Sequence, residues 1–219
     1  MPPWMQLMYD SFWRLFIAGI MFTLPLAVLS FIGGLVVGFL VALVRLYGPH
    51  PLKGIVDFYV WVIRGTPLLV QLFLIFYGLP SVGLTLNAFP AALIGFTLSV
   101  GAYDSEIIRG AIISVPKAQW EAAWTIGMNS TQAMRRVILP QSIFVSLPPL
   151  ANSFISLIKE TSLAATITVP EMFLTTQRIV SVTYEPLILY IEAAAIYLFY
   201  STLLGKLQNP LESYFRRYE

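Results

Sequence analysis

Between Leu15 and Val44 the chain carries no charged side chain. As a helix this run of roughly 30 residues would extend about 45 Å at 1.5 Å per residue. A bilayer core needs only about 20 residues, so the helix must tilt or project beyond the lipid. The rest of the chain agrees: 58% of the residues are hydrophobic, 11% are charged, and the mean hydropathy is +0.77. Soluble domains carry about 25% charged residues, and no soluble core of this size could hide so much apolar surface. The expected fold is therefore an all-α integral membrane protein, read as a single transmembrane domain over residues 1–219. No basic segment precedes the first apolar run, which is also too long for the core of a signal peptide, so it is expected to be retained. Gly34 and Gly38, spaced by three residues, permit close helix approach, although glycine is also simply common in membrane helices.

Further along, the Tyr47-Gly48-Pro49 break ends the first span, and the mixed residues 52–63 suit an interfacial helix. After Arg64-Gly65-Thr66-Pro67 a short apolar run reaches Tyr77. Later spans are expected at about 91–108, 142–158 and 187–204, with a polar loop before Pro186. About five spans place the termini on opposite sides of the membrane. With the N-terminus outside and the C-terminus inside, the inner segments hold Arg45, Lys53, Arg64, Arg109, Lys117, Arg135, Arg136, Lys206, Arg216 and Arg217. The outer segments hold only Arg14, Lys159 and Arg178, which the positive-inside rule favours.

One inner stretch, residues 114–140, is polar and organised. Ser114 and Pro116 read as a helix start. Trp120, Ala123, Trp124 and Gly127 share one helical face, and Lys117 and Glu121 stand at ion-pair spacing. Gly127 reads as a left-handed helix stop, and Asn129 with Gln132 as a capping box starting a second short helix. Met134, Val137 and Ile138 form its apolar side, Arg135 and Arg136 face outward, and Pro140 opens the next span. Periodicity leaves two readings open: a connector packed on its own spans, or a docking site for a partner.

Glu121-Ala122-Ala123, Gly127 and then Val137-Ile138-Leu139-Pro140 resemble the EAA loop of ABC-importer permeases, with Val137 where the family usually has isoleucine. RGTPLLVQ ending at Gln71, Ala102-Tyr103 with Glu106, and SLIKETSLA from Ser156 resemble the polar amino-acid branch, most closely permeases for cystine or similar amino acids. The resemblance implies a type I importer fold and a location in the bacterial inner membrane. It also implies an ABC ATPase partner, an extracytoplasmic binding protein and a second permease subunit, identical or related. By that resemblance, Glu121, Ala122, Ala123, Gly127, Leu139 and Pro140, with Trp120 and Trp124, couple the chain to the ATPase.

The chain carries no phosphate-binding P-loop, no zinc-protease motif and no serine-hydrolase elbow, and its single histidine and absent cysteines leave little for metal chemistry. No cofactor is expected in this chain. ATP and magnesium would belong to the partner, and the chain itself is expected to be a transport subunit rather than an enzyme. Nucleic acid is not an expected partner, whereas the lipid bilayer is. A self-contained channel or secondary carrier is the alternative, against which stand the EAA-like loop and the lack of inverted repeats.

Charges inside a membrane cost about 2.5–3.5 kcal/mol on insertion scales and mark interiors or cavities. Asp104, Glu106, Lys159, Glu160 and Glu192 are the candidates. Glu106 and Glu160 are expected to meet a substrate ammonium, with Thr66 and Gln71 as hydrogen-bonding groups and Tyr103 and Asn152 along the same pathway. Mutual neutralisation of Glu106 and Arg109 is the competing reading. Asp104 stands where the family is expected to hold a small residue, and Glu192 has no evident partner. Trp13, Tyr77, Tyr190 and Tyr197 read as interface anchors or packing.

Overall fold

The computed structural model describes residues 2–215, and the side chains of Pro3 and of residues 207–215 are outside that description. Arg216 and Arg217, counted above in the charge bias, lie outside the described residues. The described residues form helices and connecting turns, with no strand. Helix α1 (Pro3–Ala18) passes through a π-turn at Gly19–Thr23 into α2 (Leu24–Tyr47). The two form one continuous apolar helix, Trp4–Tyr47, of 44 residues. It is longer than any bilayer requires, as the uncharged run implied.

Helix α5 (Ala88–Ser114) is the spine against which α2 packs. Glycines make that contact possible. A Cβ on Gly38 would come within 3.1 Å of both the Gly101 carbonyl and the Ser105 amide, and one on Gly34 within 2.4 Å of Val100. Close helix approach is thus the use of the Gly34–Gly38 pair.

Helix α3 (His50–Gly65) meets α4 (Leu68–Phe73) at a 107° bend, making residues 50–82 a broken span. Pro67 disfavours helical backbone at the preceding Thr66, which is extended at φ −120°, ψ 146°. The carbonyls orphaned at the end of α3 need donors. Gln71 supplies them: its Nε2 donates to the Ile63 carbonyl at 2.8 Å and to the Thr66 carbonyl at 3.1 Å. Four helices are long and apolar enough to cross a membrane, or five if the bent pair counts as one span.

The segment after α5 turns twice. Helix α6 (Lys117–Thr125) follows Pro116, and α7 (Ser130–Ala133) runs through a π-turn into α8 (Leu139–Glu160). Ser114 is not a cap. Its hydroxyl donates back to the Ala111 carbonyl at 2.8 Å, because α5 continues six residues beyond the expected end at Ile108.

Between α8 and α10 (Pro186–Phe215) the expected polar loop is instead a 3-10 turn, Thr161–Ile167, followed by α9 (Met172–Thr183). Buried Glu171 caps α9 by accepting from the Phe173 and Leu174 amides at 2.8 and 2.6 Å, and from the Tyr197 hydroxyl at 2.9 Å. Burial lifts the Glu171 carboxyl to about 7, well above the ordinary carboxylate range. Glu192 in α10 accepts from Ser11 of α1, which supplies the partner its sequence context left open. Tyr77 donates to the Thr166 carbonyl, and Tyr190 stacks on Phe173.

Candidate functional site: a pocket among the helices and a capped loop

A cavity of about 590 Å³ opens between α5, α8 and the bend after α3. Thr66, Tyr103, Glu106, Asn152 and Glu160 line it together, although the sequence scatters them over residues 66–160. Pro149 forms part of the wall, and Pro148 and Pro149 within α8 leave two amide rungs of that helix unfilled. Gln71 does not line the cavity. Its amide nitrogen is spent on the α3 terminus and on Thr66 Oγ1 at 3.0 Å, so it shapes the bend that carries Thr66, while its buried Oε1 has no partner among the described residues.

Glu106 is surrounded by cations. Arg45 reaches Oε1 at 2.6 Å, Arg64 reaches the same oxygen at 3.2 Å, and Arg109 reaches Oε2 at 2.8 Å. Arg45 also holds Asp57 at 2.6 Å, so one network of three guanidinium and two carboxylate groups ties α2, α3 and α5. The Glu106–Arg109 pairing read from sequence is therefore present, enlarged by two arginines from other helices. Arg64 also lies over the Tyr103 ring at 5.4 Å and lines the cavity. From the sequence, Arg64 reads as part of a break and as one of the inner cations, not as a pocket residue. Its signal was a charge placed directly before Gly65-Thr66-Pro67, where the chain must turn.

Glu160, at the far end of α8, lines the cavity and forms no ion pair among the described residues. Asp104 is fully buried behind the cavity wall. It accepts from the Ser153 hydroxyl at 2.7 Å on Oδ1, and its Oδ2 has no partner among the described residues.

The loop between α5 and α8 folds as its local chemistry dictates. Gly127 takes φ +82°, the left-handed region that favours glycine. The Gly127 amide reaches the Trp124 carbonyl at 2.9 Å and the Met128 amide reaches that of Ala123 at 3.0 Å, a Schellman closure of α6. Asn129 and Gln132 exchange the two capping-box bonds at 2.9 and 3.0 Å. Lys117 and Glu121 form no ion pair, and both are exposed. Of the apolar face, Ala123 is buried and Trp120 packs against the cluster of Ile112, Val115 and Ile138, while Trp124 is half exposed. Glu121, Ala122, Gly127 and Pro140 lie exposed on this loop, with Leu139 half-buried at its exit.

Apolar helices long enough to cross a membrane thus surround a pocket lined by polar and charged side chains, with a capped helical loop between α5 and α8. The chain belongs to the family of binding-protein-dependent transport system inner membrane components, whose model matches residues 34–216. It is 51% identical over 217 residues to the L-cystine transport system permease protein TcyB of Bacillus subtilis (strain 168), covering 99% of this chain and 92% of that protein. It is 42% identical over 202 residues to the probable amino-acid ABC transporter permease protein YckA of the same organism, covering 92% and 89%. The crystal structure of an amino acid ABC transporter with histidines superposes with a TM-score of 0.88 at 39% identity, covering 94% of this chain and 96% of that chain. The chain is thus an amino-acid ABC transporter permease of the inner membrane.

Proposed function

We propose that the chain translocates a polar amino acid of the cystine type, handed over by an extracytoplasmic binding protein and driven by a separate ABC ATPase. A second permease subunit, identical or related, completes the pathway. The observation that carries this reading is the pocket, which gathers Thr66, Tyr103, Asn152 and Glu160 around one space large enough for an amino acid. Glu160 takes the ammonium group in this reading, since its carboxylate meets no cation at ion-pair distance. Glu106 acts as a support that orients Arg64, because Arg45, Arg64 and Arg109 already occupy its oxygens. Gln71 serves by holding Thr66 in place.

In the same reading the loop of Glu121, Ala122, Ala123 and Gly127 receives the ATPase. Exposed Trp124 reaches toward the partner, and Trp120 stays packed on its own helices. Leu139 and Pro140 pass the movement into α8. ATP and magnesium are held by the ATPase subunit.

Uptake of labelled cystine by proteoliposomes containing the permease, its ATPase and its binding protein tests the proposal. Glu160→Gln should lower uptake about tenfold, the scale of one charge-assisted hydrogen bond, with ATP hydrolysis retained. Undiminished uptake by that variant removes Glu160 from the pathway. Full uptake by the chain alone, without the ATPase, replaces the importer reading with a carrier.

A further inference from the structure

The ion network that ties α2, α3 and α5 does not balance. Three guanidinium groups, Arg45, Arg64 and Arg109, meet two carboxylates, Asp57 and Glu106, leaving one positive charge uncompensated among the described residues. Glu106 is satisfied without Arg64, since Arg45 holds Oε1 at 2.6 Å and Arg109 holds Oε2 at 2.8 Å. The Arg64 contact, at 3.2 Å, is the longest of the three, and its side chain is the most exposed, at 43% against 20% for Arg45 and 35% for Arg109. The spare charge falls to Arg64.

Arg64 is also the cation of the network that lines the pocket, which neither Arg45 nor Arg109 does. A guanidinium carries five N–H donors in a rigid fork. Nη1 serves Glu106, and no other Arg64 nitrogen makes a hydrogen bond among the described residues. The Tyr103 ring, 5.4 Å from the guanidinium, and the Glu106 carboxylate fix the group from two sides. We propose that Arg64 takes the α-carboxylate of the transported amino acid through its free donors, while Glu160 takes the ammonium. This assignment rests on the reading of the pocket as the amino-acid pathway.

Charge selects that ligand. Glu160 lines the same cavity, and its carboxylate repels a free anion that Arg64 alone would admit. A simple amine meets Glu160 but leaves the Arg64 fork unpaired. A zwitterion satisfies both groups with one molecule. Arg64 therefore makes the pocket selective for amino acids over the corresponding amines, because a site built to pair a polar group rejects the analogue that lacks it. Guanidinium suits the task, since its planar fork matches a carboxylate with two parallel bonds. Tyr103 and Glu106 are positioning residues here, acting through Arg64.

Equilibrium binding of labelled cystine and labelled cystamine to the purified permease–ATPase complex, without the binding protein, tests the assignment. Cystamine keeps both ammonium groups of cystine and lacks both carboxylates. The native complex should bind cystine at least about tenfold more tightly than cystamine, the scale of one charge-assisted hydrogen-bonded pair. Arg64→Gln should weaken cystine about tenfold without weakening cystamine, so that the preference collapses. Arg64→Lys keeps the charge but loses the fork, and should recover part of the preference. The native comparison needs no variant and decides the matter even where Arg64→Gln misfolds. Equal affinity of the native complex for the two ligands overturns the assignment. So does Arg64→Gln if it leaves cystine binding undiminished or weakens both ligands alike. In those cases the pathway reading survives if Glu160→Gln still weakens both ligands. Failure of the native complex to bind either ligand removes that reading and the assignment together.

Discussion

Arg45 and Glu106, 61 positions apart, meet at 2.6 Å across the contact of α2 with α5. Each is about one-fifth exposed, at 20% and 21% of side-chain area, so water screens the pair only in part. Glu106 also holds two guanidinium groups besides Arg45, and its loss would leave three neighbouring cations facing one another.

Glu106→Gln should therefore destabilise the chain by about 1–3 kcal/mol, below the 3–5 kcal/mol of a fully buried broken pair because this site is partly hydrated. Arg45→Gln should cost less, since Arg64 and Arg109 still neutralise Glu106. Thermal unfolding in detergent over the double-mutant cycle should give a coupling above about 0.5 kcal/mol. Additive losses would mean that the pair contributes only as separate side chains.

The contact of α2 with α5 makes a sharper steric demand. Gly38→Ala pushes a methyl group against the Gly101 carbonyl and the Ser105 amide at 3.1 Å, backbone atoms that cannot rotate away. A loss of about 1–3 kcal/mol is expected, the range for overpacking. Gly110→Ala in α5 is the control: its added Cβ meets nothing within 4 Å, and it should gain about 0.5–1 kcal/mol of helix propensity. Equal unfolding temperatures for the two variants would remove the close-approach account.

What was legible in the sequence follows from range. The uncharged run from Leu15, the stop at Gly127 and the Asn129–Gln132 box are decided within a few residues, and each folds as its local chemistry dictates. The cationic cage of Glu106 depends on Arg45 and Arg64 arriving from other helices, so only the i,i+3 partner Arg109 was visible. The Ser11–Glu192 bond closes over 181 positions and leaves no local trace. Helix α9 was hidden for a different reason. Its cap is a glutamate, outside the usual Ser, Thr, Asp and Asn set, and the 3-10 turn before it blurs the helical period. Gln71 was read as a pathway residue because it closes the RGTPLLVQ stretch, yet the 107° bend turns its amide toward the end of its own broken span.

Gly127 isolates backbone strain from packing. Its φ of +82° suits glycine, and an added Cβ there meets nothing within 4 Å. Gly127→Ala should therefore cost about 1–2 kcal/mol through the left-handed backbone alone, while Gly127→Asn should cost less because asparagine tolerates that region. Protease cleavage between α6 and α7 in the full chain reads the local opening. Cleavage should rise in the order glycine, asparagine, alanine, and an identical rate for alanine and glycine would show that the turn bears no strain.

Glu171 sets a pH dependence outside the membrane spans. Its carboxyl is lifted from 4.5 to about 7, chiefly by burial, against the opposing pull of the Phe173 and Leu174 amides and the Tyr197 hydroxyl. With a folded value above the unfolded one, the native state binds the extra proton between about pH 4.5 and 7. The stability that this group contributes is therefore fully present below about 4.5 and is lost as pH rises through about 7, by at most about 3 kcal/mol. Glu171→Gln keeps an acceptor for the helix cap and cannot titrate. Unfolding temperatures of the native chain should fall between pH 5 and 8, and those of the variant should fall by visibly less. Parallel curves for the two proteins would show that Glu171 titrates as an ordinary carboxylate.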